Sequence, residues 1–231
     1  ENRVRRLYEE GRKKDHEVFK DDIKLDKHKI YVVVQYLQDI NLSRTNLDAK
    51  GAAFQNFMGD FFRGDFGQFF TPDPITDFIS KSIPIKKVFK VLDTSCGSGG
   101  FLMSALKYLQ ANHQNLNTAK IVSQNIFGLD INRSIARIAK MKLLLEANGK
   151  TNILCTNSLE DLDSIKLLLE QKNGFDLILT NPPFGAKITQ SSILSKFDLG
   201  YKWTSHENEF FKTRTVYANQ NAEILFIERC L

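Results

Sequence analysis

The composition is that of an ordinary globular protein: 231 residues, 42% of them hydrophobic and 26% charged, with room for a sizeable core. No stretch approaches the roughly 20 apolar residues that a membrane-spanning helix needs, and no cysteine–histidine cluster has the spacing of a zinc site. The three cysteines are widely spaced and odd in number, which argues against a disulfide framework and predicts a reducing, cytoplasmic location. Lysine and arginine outnumber the acids 32 to 27, and the net charge of +5 suits a polyanionic partner.

The first 62 residues are predicted to form an N-terminal helical region. The apolar run 29–37 is compatible with a strand by composition, but the pattern continues through Ile40, which favours a buried helix. Asp48 is the expected N-cap of a further helix. The apolar residues of that helix are Ala52, Ala53, Phe54, Phe57, Phe61 and Phe62.

From residue 86 onwards the chain alternates between predicted strands and predicted helices. The strands are expected at 87–92, 124–129, 152–155 and 175–180. The helices are expected at 101–110, 134–147 and 161–172, and the segment 221–231 is also helical in pattern. Such alternation is typical of a parallel sheet in a doubly wound α/β fold.

Four polar features come directly after predicted strands, at the edge where doubly wound sheets bind their ligands. They are the glycine-rich loop 93–100, Asp130, Asn157 with Ser158, and Asn181. One such residue is readily explained as a cap or turn residue, whereas four in successive strand–helix units predict a binding site.

The sequence of the loop is Asp93-Thr94-Ser95-Cys96-Gly97-Ser98-Gly99-Gly100. Its glycines permit positive φ angles and let a ligand approach the backbone closely. The loop lacks the Gly-Lys-Ser/Thr of a P-loop and a clean Gly-x-Gly-x-x-Gly pattern, so a triphosphate ligand is not indicated. Asp130, which ends the next strand, can accept both hydroxyls of a ribose or can cap the helix that follows, and both interpretations stay open.

The tetrapeptide Asn181-Pro182-Pro183-Phe184 is compatible with a simple turn and a core phenylalanine, but it also fits chemistry on adenine. The exocyclic amine of adenine is a poor nucleophile because its lone pair is delocalised into the ring. Two acceptors, the Asn181 Oδ1 atom and the Pro182 carbonyl, would bind its two N–H groups and localise the lone pair towards a methyl donor. The prolines stiffen this loop, and Phe184 offers a ring for stacking on the base.

Three motifs in this order resemble the amino-methyltransferases of DNA: Gly67-Gln68-Phe69-Phe70-Thr71-Pro72, the loop 93–100, and Asn181-Pro182-Pro183-Phe184. Because the Gln-Phe-Phe-Thr-Pro element precedes the glycine loop, the order resembles the γ class of adenine-N6 enzymes. The fullest likeness, over residues 48–231, is to the modification (M) subunit of type I restriction–modification systems. It implies a Rossmann-like S-adenosylmethionine-dependent methyltransferase sheet in a catalytic domain at 63–231, incomplete at its C-terminus because family members continue with further strands.

The resemblance also implies S-adenosyl-L-methionine as the cofactor and assigns residues to it. The methionine end would be lined by Gln68, Phe69, Phe70, Thr71, Pro72 and Asp73. The residues of the first strand end and glycine loop that would contact the cofactor are Asp93, Gly97, Ser98, Gly99 and Gly100. Asp130 would take the ribose hydroxyls, and Asn157 would face the adenine of the cofactor. The residues that would hold the target adenine are Asn181, Pro182, Pro183 and Phe184.

The implied function is methylation of the N6 amine of adenine in DNA by a type I modification subunit. The implied partners are DNA, a specificity subunit, a second M subunit and, where one is present, a restriction endonuclease subunit, with no membrane. Two alternatives remain: methylation of a protein glutamine or of RNA, and a non-catalytic assembly module that binds the cofactor. No segment resembles a target-recognition domain, so the chain alone is expected to bind DNA weakly and without sequence preference.

Overall fold

The computed structural model describes residues 2–16, 18–40, 71–113, 115–147, 150–160, 174–207 and 209–231. At its centre is a parallel four-stranded sheet in the order β3-β2-β1-β4. The strands are β1 (Val91–Asp93), β2 (Ile126–Asp130), β3 (Asn152–Cys155) and β4 (Leu177–Ile178). Asp93 lies opposite Gly128, and Asp130 lies opposite Cys155. The parallel α/β sheet that the alternating pattern predicts is therefore confirmed.

Helices precede, connect and follow these strands. In chain order they are α1 (Asn2–Lys14), α2 (Lys27–Leu37), α3 (Asp73–Ser82), α4 (Gly100–Asn112), α5 (Thr118–Asn125), α6 (Arg133–Ala147), α7 (Ser191–Leu194) and α8 (Ala222–Cys230). The predicted helices 101–110 and 134–147 are confirmed as α4 and α6, each slightly longer than predicted. None of the helices in the described ranges is long and apolar enough to cross a bilayer.

The strands are mostly shorter than the apolar runs that predict them. β1 begins at Val91 rather than at residue 87, because residues 86–89 form a turn closed by the 2.9 Å bond from the Phe89 N–H to the Lys86 carbonyl. Residues 124–125 end α5 instead of opening β2, and β4 contains only two residues of the predicted 175–180. The predicted strand 152–155 is confirmed without change.

The alternating side chains of the strands form a core on each face of the sheet. On one face the strand residues Val91, Ile126 and Ile153 pack with the buried sides of α4, α5 and α6, including the fully buried Leu106 and Leu143. On the other face Leu92, Phe127 and Leu129 form a second buried cluster. Each large apolar side chain buried in this way contributes about 1.5–3 kcal/mol to folding.

The N-terminal helical prediction is confirmed for α1 and α2, but the prediction that the run 29–37 is buried is wrong. Of the residues of α2, only Ile30 is buried, whereas Tyr31 and Tyr36 are 63% and 78% exposed. The helix begins because Asp26 caps it, accepting the Lys29 N–H at 2.9 Å. Continuous apolar character therefore marks a helix here without specifying what covers it.

Several sequence predictions lie outside the described residues. These are the helix that Asp48 would cap, the helix at 161–172, the domain boundary at 62/63, and residues Gln68, Phe69 and Phe70.

The C-terminal part contains strands that the sequence patterns do not predict. They are β5 (Lys187–Ile188), β6 (Tyr201–His206), β7 (Glu209–Val216) and β8 (Gln220–Asn221). β5 pairs antiparallel with β8, so the two ends of the segment between them lie side by side. Within that segment, β6 and β7 form a hairpin. A small core, in which Leu194, Phe197 and Leu225 are almost fully buried, joins the base of this segment to α8.

Gly200→Ala is expected to destabilise the protein by at least about 2 kcal/mol, the cost of overpacking a site that cannot relax. A Cβ atom at Gly200 would lie 2.0 Å from the Leu194 carbonyl oxygen, so the backbone itself would have to move. Urea unfolding measures the change. The matched control is Gly174→Ala, where φ is +66° but no atom of a described residue lies within 4 Å of the added Cβ, so the strain of about 1–2 kcal/mol for a left-handed residue is the cost expected. Equal losses in the two variants would contradict the steric account.

Candidate functional site

The four polar features predicted from the sequence meet at one edge of the sheet. All four strands run parallel, so their carboxyl ends lie on the same side. In the order β3-β2-β1-β4, these ends carry Asn157, Asp130, the glycine loop that starts at Asp93, and Asn181. The glycine loop therefore lies between Asp130 and Asn181, at the position where open α/β sheets bind ligands.

The glycine loop bends through backbone conformations that only glycine adopts readily. Gly97 and Gly99 have φ angles of +52° and +85°, in the left-handed region. A Cβ atom at Gly99 would also lie 3.3 Å from the Cβ of Ala139, so the loop passes close to α6. The Cys96 N–H donates to the Leu129 carbonyl at 2.8 Å, which ties the loop to the end of β2.

Asp130 binds main-chain groups on both sides of the strand end. Its Oδ2 atom accepts the Gly97 N–H at 2.9 Å and its Oδ1 atom accepts the Asn132 N–H at 2.7 Å. The alternative that Asp130 caps the following helix is wrong: Asn132 does so, accepting the N–H groups of Ser134 and Ile135 at 3.0 and 3.3 Å. Burial raises the Asp130 pKa, and the two N–H bonds oppose that rise. Since each carboxylate oxygen has two acceptor sites, both can accept further hydrogen bonds.

Asp93 is the more deeply buried carboxyl group, with 2% of its surface exposed. Desolvation, and secondarily the nearby charge of Asp130, raises its pKa to about 7, although hydrogen bonds from the Thr180 hydroxyl and the Ser95 N–H lower it. The bond from Ser95 is 3.1 Å long. The first residue of the loop thus carries a carboxyl group that titrates near neutral pH.

Asn181 is bound through both its backbone and its side chain. Its carbonyl accepts the Ser95 hydroxyl at 3.1 Å, and Ser95 Oγ also lies 2.8 Å from Thr180 Oγ1. Its Nδ2 group donates to Thr71 Oγ1 at 3.0 Å. The Oδ1 atom has no hydrogen-bond partner among the described residues, and Phe184 is 72% exposed.

The segment that starts at Thr71 lies against the glycine loop. A Cβ atom at Gly100 would be 3.9 Å from the Thr71 carbonyl oxygen and 3.5 Å from the Thr76 methyl carbon. Pro72 precedes the first turn of α3, and Asp73 opens that helix. Of the six residues predicted to line the methionine end, the structure describes Thr71, Pro72 and Asp73, and it brings Thr71 against the glycine loop and Asn181.

Asn157 is bound within its own turn. Its Oδ1 atom accepts the Leu159 N–H at 3.0 Å, and its Nδ2 group donates to Glu160 Oε1 at 3.0 Å. The buried Ser158 hydroxyl donates to the Thr94 carbonyl, which links the end of β3 to the glycine loop.

Sequence reasoning did not identify the hydroxyl groups of Ser95 and Thr180 as site residues. Ser95 lies two residues after Asp93, and Thr180 directly precedes Asn181. This closeness to the polar residues after β1 and β4 is the one signal available for them. Their pairing depends on β1 and β4 being neighbours, which no local pattern specifies.

Comparison with known proteins identifies relatives of this chain. The profile of the N-6 DNA methylase family matches residues 45–231. The chain is 32% identical over 164 residues to the type II restriction enzyme and methyltransferase RM.BcgI of Heyndrickxia coagulans. The aligned region covers 67% of this chain and 24% of that protein. The chain therefore spans about a quarter of the length of that relative.

Solved structures show the same fold. A chain described as a modification subunit of a type I restriction enzyme from Vibrio vulnificus superposes with a TM-score of 0.66 at 24% identity, covering 91% of this chain and 40% of that one. A chain described as a class I S-adenosylmethionine-dependent methyltransferase from Listeria monocytogenes superposes with a TM-score of 0.60 at 17% identity, covering 93% and 58%. The Rossmann-like methyltransferase fold expected from the motifs is thereby confirmed.

Asp93→Asn is expected to remove part of the pH dependence of stability. The Asp93 pKa is about 7 in the folded protein and about 3.9 in an unfolded chain, so the folded state binds the proton more tightly. The free energy of unfolding should then fall as pH rises from about 4 to about 7, by about 1.4 kcal/mol per pH unit from this group. Urea unfolding of both proteins across this interval measures the difference. A difference that does not change with pH would contradict the assignment to Asp93.

Proposed function

The chain belongs to the N-6 DNA methylase family, and from this membership and the geometry of the site we propose that it transfers a methyl group from S-adenosylmethionine to the N6 amine of adenine in DNA. The observation that carries the proposal is the placement of Asn181 and Pro182 at the end of β4, beside the glycine loop. The glycine loop would bind the methyl donor, and the tetrapeptide 181–184 would supply hydrogen-bond acceptors for the amine.

The residues at the sheet edge fit S-adenosylmethionine. Two glycines with positive φ and the close approach of Gly100 to Thr71 leave backbone that a ligand can contact without side chains intervening. Asp130 retains acceptor capacity for ribose hydroxyls at the end of β2, as in other nucleotide-binding sheets. Two buried carboxyl groups suit a ligand that carries positive charge. When bound, the cofactor would supply an electrophilic methyl group on its sulfonium sulfur.

The chemical role proposed for the tetrapeptide is to accept hydrogen bonds from the amine. Asn181 Oδ1 and the Pro182 carbonyl would each accept one N–H, which turns the nitrogen lone pair towards the methyl donor. Ser95 binds the carbonyl of Asn181 and the prolines restrict φ, so the acceptors are in place before substrate binds. Preorganised acceptors of this kind act mainly on the transition state.

Phe184 is the proposed stacking partner of the target base. The amine is paired inside B-form DNA and cannot reach a donor there, so the adenine must leave the stack. An aromatic ring with 72% of its surface exposed, three residues after Asn181, can cover the face of an extruded base.

The proposed partners are DNA and the other subunits of a type I restriction–modification assembly. The solved structure from Vibrio vulnificus is described as a modification subunit of such a system. We expect the chain to take its sequence specificity from a separate specificity subunit, with a second copy of the modification subunit in the same assembly. The net charge of +5 then accounts only for salt-sensitive contacts to phosphate.

Asn181→Ala and Asp130→Ala are expected to separate chemistry from cofactor binding. Loss of the Asn181 acceptor should lower the single-turnover rate of adenine methylation on the order of 100-fold or more, with cofactor affinity close to wild type. Loss of Asp130 should weaken cofactor binding by about 1–3 kcal/mol, because its hydrogen bonds to the ribose are removed and the Gly97 N–H of the glycine loop loses its acceptor. Rates come from rapid-quench assays on the full-length protein with its partner subunits, and affinities from calorimetry.

The two variants serve as controls for each other, and thermal unfolding of each checks that the fold survives. Near-normal methylation by a folded Asn181→Ala protein would refute the acceptor role. Unchanged cofactor affinity in a folded Asp130→Ala protein would refute the assignment of Asp130.

A further inference from the structure

We propose that Thr71 is a positioning residue: its hydroxyl orients the Asn181 carboxamide so that Oδ1 is presented to the amine that is methylated. This inference rests on the proposed function and deepens it. The contact that carries it is the 3.0 Å hydrogen bond from Asn181 Nδ2 to Thr71 Oγ1, between residues 110 positions apart in the chain.

Orientation matters because the two ends of a carboxamide have nearly the same shape and opposite hydrogen-bonding character. The exocyclic amine of adenine offers two N–H donors, so only the oxygen end of Asn181 can bind it. A carboxamide turned by half a rotation would place its own N–H groups against those of the substrate. Thr71 Oγ1 accepts a bond from the nitrogen end, and Oδ1 is free of partners among the described residues.

The same hydroxyl group has a proton left to donate. Thr71 belongs to the segment assigned by family resemblance to the methionine end of the cofactor, which carries a carboxylate. A carboxylate accepts hydrogen bonds and cannot donate them, so a Thr71 hydroxyl that donates to it must use a lone pair for Asn181. Cofactor binding would then reinforce the orientation of the catalytic side chain.

Thr71 lies two residues before the start of α3, which hydrogen bonds fix on α4. The Thr76 and Ser104 hydroxyl oxygens, both buried, lie 2.9 Å apart, and Ser104 donates to Asp77 Oδ1 at 2.5 Å. The N–H groups of Ile75 and Thr76 return to the Pro72 carbonyl at 2.9 and 3.2 Å. Since α4 starts at the end of the glycine loop, Thr71 is positioned relative to the loop itself.

The backbone of Asn181 is held by a different element. Ser95 donates to its carbonyl at 3.1 Å, and the main chain around it continues from β4. Removing the Thr71 hydroxyl should therefore free the carboxamide to rotate while Asn181 stays at the site. That separation allows the side-chain contact to be tested alone.

The test compares Thr71→Val, which keeps the shape and loses the hydroxyl, with Thr71→Ser, which keeps the hydroxyl. The matched control is Thr118→Val, because Thr118 accepts a bond from the Gln110 carboxamide at 3.3 Å at the start of α5, apart from the sheet edge that carries Asn181. In the full-length protein with its partner subunits, Thr71→Val should lower the single-turnover methylation rate about tenfold, the worth of one hydrogen bond with its partner left unsatisfied. The KM for DNA should not change, Thr71→Ser should recover most of the rate, and Thr118→Val should have no effect.

Two further measurements separate this inference from the proposed function. In an Asn181→Ala background the carboxamide at position 181 is gone, so adding Thr71→Val at saturating cofactor should cost no further rate, and additive losses would overturn the inference. A crystal structure of Thr71→Val should show the Asn181 carboxamide rotated or in two orientations, and an unchanged carboxamide would overturn it. A protein that methylates no DNA would refute the proposed function. The crystal structure requires no turnover, so it would still show whether Thr71 orients the Asn181 carboxamide.

Discussion

The carboxylate of Asp130 accepts the Gly97 N–H at 2.9 Å, and the arrangement of the whole site depends on this bond. It joins the end of β2 to the loop that leaves β1. That loop opens α4, against which α3 packs, and its Ser95 hydroxyl reaches the main chain of Asn181. A loop displaced from Asp130 would therefore misplace both the backbone proposed to bind the cofactor and the acceptor proposed for the target base.

This arrangement places two carboxyl groups at neighbouring strand ends, where burial disfavours their charged forms. The pKa of Asp93 is raised to about 7 and that of Asp130 is raised as well, chiefly by desolvation. Main-chain N–H groups and the Thr180 hydroxyl offset part of the cost of burying the charges. The same features that make the edge electrostatically unfavourable when empty suit it to a ligand with positive charge. The preference for a positively charged ligand thus follows from the burial of the two carboxyl groups.

The fold and the outline of the site could be predicted because each leaves a local mark in the sequence. Apolar runs alternate with helical patterns, and a polar residue follows each strand. Features that depend on contacts between distant parts of the chain could not be predicted in this way. The order of the strands, which makes Ser95 and Thr180 neighbours, and the contact between Thr71 and Asn181 depend on packing between distant segments.

Local structure was also missed where the apolar periodicity is weak. The hairpin of β6 and β7 is largely exposed on both faces, so its strands lack the alternation that marks a half-buried sheet. α5 is only eight residues long and buries only Ile121 and Val122, although Asn117 caps it by accepting the Lys120 N–H at 3.0 Å. The burial predicted for α2 was wrong because an apolar run indicates a tendency to be covered and does not supply the covering element.

The reaction proposed for this site is methylation of the N6 amine of adenine in DNA. Its most direct test is nucleoside mass spectrometry of DNA incubated with the full-length protein, its partner subunits and isotopically labelled S-adenosylmethionine. We expect the label in N6-methyladenine, and only in duplexes that contain the target site of the assembly. Label in N4-methylcytosine, or in RNA or protein in place of DNA, would contradict it.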